Sequence, residues 1–120
     1  YWSLIRNYVS KRSIIQLSEF DITQKIIEAL SNVCTRSVLF SVKTESKDVT
    51  QIANELKISI STVYKTLSNL EDLALAEIER FVISPEGKKI KLYRSRIGKV
   101  EIILENLEPV LMLYPNESKN

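Results

Sequence analysis

The chain has 120 residues, 44% hydrophobic and 27% charged, which suits one compact domain with a modest core. It has no His and one Cys, Cys34, so the usual neutral-pH proton shuttle, an internal disulfide and a thiolate metal site are excluded, and no metal or cofactor is expected. The formal net charge of +2 is too small to name a partner, and no run approaches the ~18–20 apolar residues that span a bilayer, so no membrane partner is expected.

Only two Gly and three Pro argue for long regular elements and short loops. Residues 2–12 place Trp2, Leu4, Ile5, Tyr8 and Val9 at a spacing that allows a short amphipathic helix. Arg6 interrupts this run, and no signal-peptide cleavage pattern follows it. The chain opens on Tyr1 rather than Met, which leaves room for a segment ahead of it. Residues 13–20 read as either extended chain or helix. Asp21 is placed as an N-cap, with Ile22, Ile26, Ile27 and Leu30 as one helical stripe behind it. A second helix is predicted from about Cys34 to Lys43, with Val38, Leu39 and Val42 inward and Cys34 as a small buried hydrophobe.

Residues 44–48 form a polar loop ending in Asp48, which can cap a helix over 49–56 whose apolar positions are Val49, Ile52, Ala53 and Leu56. Lys57, Ile58 and Ser59 make a tight turn. Ser59 caps a longer helix, Ile60 to about Ala74, with Ile60, Val63, Leu67, Leu70 and Leu73 inward. Two helices joined in this way are a helix-turn-helix. The period then changes. Residues 76–83 and 89–96 are rich in Ile, Val, Phe, Leu and Tyr, and Ser84-Pro85-Glu86-Gly87 between them is a good turn, so a hairpin is predicted. Residues 100–104 and 110–114 are read as a second hairpin, because Pro109 would interrupt a competing helix. Residues 115–120 are expected to fray.

Charge is unevenly spread. Residues 84–99 hold Lys88, Lys89, Lys91, Arg94, Arg96 and Lys99 against Glu86 alone. Residues 100–120 hold Lys119 against Glu101, Glu105, Glu108 and Glu117. A basic segment beside an acidic one points to a local anion-binding surface.

Helix, helix, turn, helix and basic hairpin is the order of a winged helix, giving a mainly α fold with a β-hairpin wing, a flanking N-terminal helix and a C-terminal hairpin. Thr35-Arg36-Ser37-Val38-Leu39, the run Val49-Thr50-Gln51-Ile52-Ala53-Asn54-Glu55-Leu56 and the run from Ile58 to Glu71 resemble winged helix transcription regulators of the ArsR/TrmB/MarR type, which are especially common in archaea. The resemblance covers roughly residues 33–96 and is most specific over 58–70. It implies that 33–96 is a DNA-binding domain, beside which 97–120 is an extension. A winged helix needs only about 60–70 residues, so the apolar stripes at 2–9 and 21–32 within the helical segment 1–32 are expected to bury themselves against a second copy, the alternative being that they cover the domain's own core. Two positions depart from the pattern: Lys57 and Ala74 stand where such regulators usually have Gly. Arg36 resembles a position where Arg starts a helix, and a structural cap or ion pair is its expected role.

The physical case for duplex DNA rests on two features. A helix fits the major groove and offers its exposed side chains to base edges. With the apolar stripe inward, the 60–74 helix presents Ser61, Thr62, Lys65, Thr66 and Asn69, with Tyr64 bordering that face, and Ser59 leaves a helix N-terminus aimed at phosphate. Packing of Tyr64 against the wing is its competing use. Lys88, Lys89 and Lys91 at the hairpin tip would follow the backbone or enter the minor groove, giving affinity and salt dependence rather than sequence choice. The expected protein is therefore a cytoplasmic, sequence-specific regulator binding double-stranded DNA as a homodimer, with no effector signalled by any residue. The alternative is a winged helix used for protein contact within a transcription or assembly complex. An enzyme is not expected: Glu71, Asp72, Glu77 and Glu79 have no nucleophile, His or phosphate loop beside them.

Overall fold

Helix α1 spans Ser13–Ser31 without interruption. In this computed structural model residues 13–117 are described, with side chains from residue 22 onward, so the amphipathic run at residues 2–12 lies outside the described residues. Asp21 is thus an interior residue of α1 and not its cap. No Gly or Pro stands between residues 13 and 31, and extending an existing helix is far easier than starting one, so the ambiguous 13–20 run joins the helix behind it. Ile26 and Leu30 are buried and Ile27 partly so, but Ile22 at the head of the predicted stripe is exposed.

Asn32 opens α2, Val33–Ser41, by accepting the Thr35 amide on Oδ1 at 3.0 Å. Arg36 donates from Nη1 to the Leu30 carbonyl at 2.7 Å, closing the end of α1, which is the structural role expected of it. Val38, Leu39 and Val42 are fully buried, whereas Cys34 is only half-buried. Helix α3, Val49–Leu56, begins with a reciprocal cap: Asp48 Oδ1 accepts the Gln51 amide at 2.8 Å, and Gln51 Oε1 accepts the Asp48 amide at 3.0 Å. Helix α4, Ile60–Asp72, buries Val63, Leu67 and Leu70. Ile60 is exposed rather than inward. A helical side chain leans toward the N-terminus, so a first-turn residue covers ground beyond the core, and Ile58 packs there instead.

Lys57 and Ala74, the two non-glycine departures, both take left-handed backbone, with φ of 58° and 61°. Each ends a helix in the same way. The Ile58 amide returns to the Ala53 carbonyl at 3.1 Å and the Leu75 amide to the Leu70 carbonyl at 2.9 Å.

Strands β1, Ala76–Ile83, and β2, Lys89–Ser95, pair antiparallel, with Ile83 opposite Lys89 and Phe81 opposite Lys91. A register shift between Ile78 and Arg80 leaves Glu79 as the extra residue. The turn uses Gly87 at φ 83°, while the Ser84 amide donates to the Lys88 carbonyl at 2.8 Å. A second antiparallel hairpin follows: β3, Ile97–Ile103, and β4, Val110–Pro115. It starts earlier than the sequence suggests, and its root is tight, since a Cβ on Gly98 would lie 3.1 Å from the Pro115 carbonyl oxygen. The tail is held further than expected. Asn116 is buried and donates from Nδ2 to the carbonyls of Lys43 at 2.8 Å and Ser95 at 2.9 Å.

Among the described residues, four helices followed by two antiparallel hairpins make a winged helix. One hydrophobic cluster runs through it, from Ile26 and Leu30 of α1 through Ile52, Leu67 and Leu70 to Leu111 and Leu113 of β4.

Candidate nucleic-acid interface

Helix α4 is exposed along the side opposite its buried stripe. Ser61, Thr62, Tyr64, Lys65 and Asn69 are exposed, Thr66 is half-buried, and Ser59 at the cap is exposed. On the wing Lys88, Lys89 and Lys91 are all exposed. Nine of the ten residues singled out from sequence therefore reach solvent freely, because a 3.6-residue period fixes which side of an amphipathic helix is inward.

These residues do not form a single surface. Tyr64 is 57% exposed and lines one hollow together with Thr50, Lys88, Lys89, Lys91 and Tyr93. The outward side of α4 and the wing tip thus meet across a cleft of about 390 Å³. Rotation of about 100° per residue sets Ser61 and Lys65 within about 100° of Tyr64 on the outermost stripe, along with Ser68, but carries Asn69 about 140° away. Asn69 lines a different groove, with Lys25, Glu28, Asn32 and Leu73 of the α1–α2 side. Thr62 and Thr66 turn toward that side as well.

The head of α4 is a closed hydroxyl cluster. Ser59 Oγ accepts the Thr62 amide at 3.2 Å, donates to Thr62 Oγ1 at 2.8 Å and lies 3.2 Å from Ser61 Oγ. The cap therefore spends Ser59 on the helix itself, while the exposed Ser61 and Lys65 remain available outward. On the wing, alternation sets Phe81, Ile83, Lys89 and Lys91 on one side of the hairpin, and the Lys89 ammonium sits 4.3 Å from the centroid of the Phe81 ring. Tyr93, at the wing's base, has its phenol pushed above the ordinary range, first by burial and then by the Glu71 carboxylate and Tyr64. Tyr64 accordingly stands beside the wing's root as well as facing solvent.

Two residues were missed from sequence. Thr50, exposed in the first turn of α3, lines the hollow beside the wing lysines, and Ser68 is exposed on the outer stripe of α4. The signal for Thr50 was present: it is the second residue after a strong cap, at a helix N-terminus where anions are favoured. Lys47, by contrast, is engaged with Glu55 at 2.6 Å. Among the described residues no group of His, Cys, Asp and Glu could hold a metal ion, and no helix is long and apolar enough to cross a membrane.

No family model matches the chain. It is 30% identical over 93 residues, 78% of this chain and 93% of the relative, to a protein of Methanocaldococcus jannaschii named as an uncharacterized HTH-type transcriptional regulator.

Proposed function

This chain belongs to the helix-turn-helix transcriptional regulators, and on that footing we propose that it is a cytoplasmic, sequence-specific duplex-DNA-binding regulator of the ArsR/TrmB/MarR type. Helix α4 enters the major groove with Ser61, Tyr64 and Lys65 toward base edges and the wing-side phosphates and with Thr62, Thr66 and Asn69 along its other flank, and Ser59 fixes its leading end. The wing lies on the backbone or in the minor groove through Lys88, Lys89 and Lys91. The active species is a homodimer joined through the N-terminal segment, because two copies of one reading helix recognise half-sites about one helical turn apart.

The observation that carries this reading is the shared hollow: Tyr64 of α4 and all three wing lysines line one cleft. A cylinder with phosphates on either side of its groove can be gripped by a helix and a hairpin only when both project to the same side. The outermost residues of α4 are short hydroxyls and one Lys, which fit against base edges without bulk.

The test begins with selection of bound sequences from a random duplex pool. Affinity is then measured for the selected site and for random duplex. Changing Ser61 and Lys65 to Ala should weaken the selected site by roughly 5- to 100-fold, as loss of base contacts does, and leave random duplex within about twofold. Absence of binding to any duplex at low salt would count against the proposal and in favour of a protein-contact role.

A further inference from the structure

The two hairpin tips carry exposed apolar residues of large size with opposite charge. At the β3–β4 tip Leu107 is 95% exposed and Leu104 74%, with Ile102 and Ile103 also exposed. The only charged residues from 100 to 110 are Glu101, Glu105 and Glu108. Glu101 is engaged by the Tyr114 hydroxyl at 2.7 Å and by Lys99 at 3.7 Å, so Glu105 and Glu108 give the tip its outward charge. On the wing Ile83 is 68% exposed and Phe81 is exposed beside Lys89 and Lys91 on one side of the hairpin.

Both patches are of the kind that marks an interaction surface: contiguous large apolar side chains rimmed by charge. They do not satisfy each other within one molecule. Among the described residues the hairpins are separate two-stranded sheets, with no strand of one hydrogen-bonded to a strand of the other. Both are rooted at Arg96, and strands of seven residues carry each tip roughly 20 Å from that root.

We propose that the acidic aliphatic tip of one copy, Leu104, Glu105, Leu107 and Glu108, docks on the basic wing face of a second copy, Phe81, Ile83, Lys89 and Lys91. Charge selects this pairing. Tip on tip would bring four glutamates together and wing on wing would gather lysines, whereas tip on wing buries aliphatic against aromatic surface and sets glutamate beside lysine. Each patch is below the size of a stable interface, so a single contact is weak and salt-sensitive. Two copies that exchange tips reciprocally close into a two-fold pair and engage both contacts at once. The docked tip covers the wing lysines. If the duplex reading above is right, this tip-on-wing contact, unlike the N-terminal dimer, is therefore mutually exclusive with DNA binding.

The experiment is analytical ultracentrifugation of the full chain without DNA, at ~50 and ~500 mM salt, between which the screening length falls from roughly 14 Å to roughly 4 Å. A self-association step that weakens several-fold at high salt is expected, over and above the N-terminal dimer, which salt leaves in place. Glu105→Lys with Glu108→Lys should abolish that step, as should Lys89→Glu with Lys91→Glu. Mixing the two charge-reversed proteins should restore association between them, which no unfolding artefact would produce. Absence of a salt-sensitive step, a salt-sensitive step that neither reversal moves, or a mixture of the two variants that fails to regain that step overturns the proposal. Because this readout contains no DNA, it stands or falls separately from duplex binding. In a final arm, duplex that binds the chain should remove the salt-sensitive step, and duplex that binds while that step persists would overturn the docking.

Discussion

Replacing Lys88, Lys89 and Lys91 together with Ala gives the most quantitative test of the wing. All three are exposed, and surface changes of this kind usually move stability by no more than about 0.5 kcal/mol, so the variant should fold. Each lysine that neutralises a phosphate adds about 0.9 to the slope of log affinity against log salt. Lys88 and Lys91 should contribute in full. Lys89 already rests 4.3 Å from the Phe81 ring, an exposed cation–π contact of roughly 0.5–1 kcal/mol, so its contribution is partial. The variant's slope should then be shallower by about 1.8 to 2.7. Between 50 and 200 mM salt, that difference makes wild type lose roughly 10- to 40-fold more affinity than the variant. Fluorescence anisotropy on a labelled duplex across that range reads the slope directly. Parallel salt lines for the two proteins would refute phosphate contact by the wing, whatever the absolute affinities. A loss confined to one duplex sequence would refute it too, since backbone contacts are blind to sequence.

Lys57→Gly and Ala74→Gly should each stabilise the fold by about 0.5 kcal/mol, because relief of left-handed backbone, roughly 1–2 kcal/mol, outweighs the roughly 0.4–1 kcal/mol cost of a more flexible unfolded chain. A lower urea midpoint in either variant would contradict this. The Tyr114 hydroxyl first, and Lys99 second, hold the Glu101 carboxyl below its usual range against a small opposing effect of desolvation. A depressed carboxyl stabilises the fold above the ordinary carboxylate range and loses that contribution as pH falls through the folded value. Tyr114→Phe should therefore raise the Glu101 midpoint in an NMR titration and flatten the acid side of the stability profile, and an unchanged midpoint would show that the hydrogen bond does not form in solution.

Local chemistry made much of this fold legible. Asp48 and Ser59 were readable as caps because a cap is decided by one side chain and the two or three amides after it. The wing turn was readable for the same reason, with Gly87 supplying the positive φ that the turn needs. Asp21 had the right side chain for a cap, yet the continuity of residues 13–20 with the helix behind them decided the matter. Ile60 fits the apolar stripe by spacing, but spacing alone does not say where the neighbouring helix stops covering it. At the candidate site, periodicity gave the exposure of α4. It could not show that the exposed side divides between the wing hollow at Tyr64 and the α1–α2 groove at Asn69, since that depends on what packs to the left and right of the helix.

The placement of the wing had no sequence signal at all, and the reason lies in the loop between α2 and α3. Main-chain groups of residues 42–47 take part in much of what fixes the hairpins, alongside the Arg96 amide on the Leu75 carbonyl. The Ser95 amide donates to the Val42 carbonyl at 3.0 Å, and Arg94 Nε and Asn116 Nδ2 both donate to the Lys43 carbonyl. Lys47 and Tyr93 exchange two backbone hydrogen bonds at 3.1 and 2.9 Å. On the far side Arg94 Nη1 reaches Glu79, the residue that the β1 bulge leaves over, at 3.2 Å. Because the acceptors are backbone carbonyls, almost any side chains at 43–46 would serve, and a polar loop is all that the sequence displays there. The consequence bears on function. The hollow that unites Tyr64 with the wing lysines is framed at its base by this buried, multiply bonded junction, so the angle between helix and wing is set before any partner arrives. The tip beyond Lys91 lies outside that junction, and it carries Lys88 and Lys89, which the proposed reading sets against phosphate.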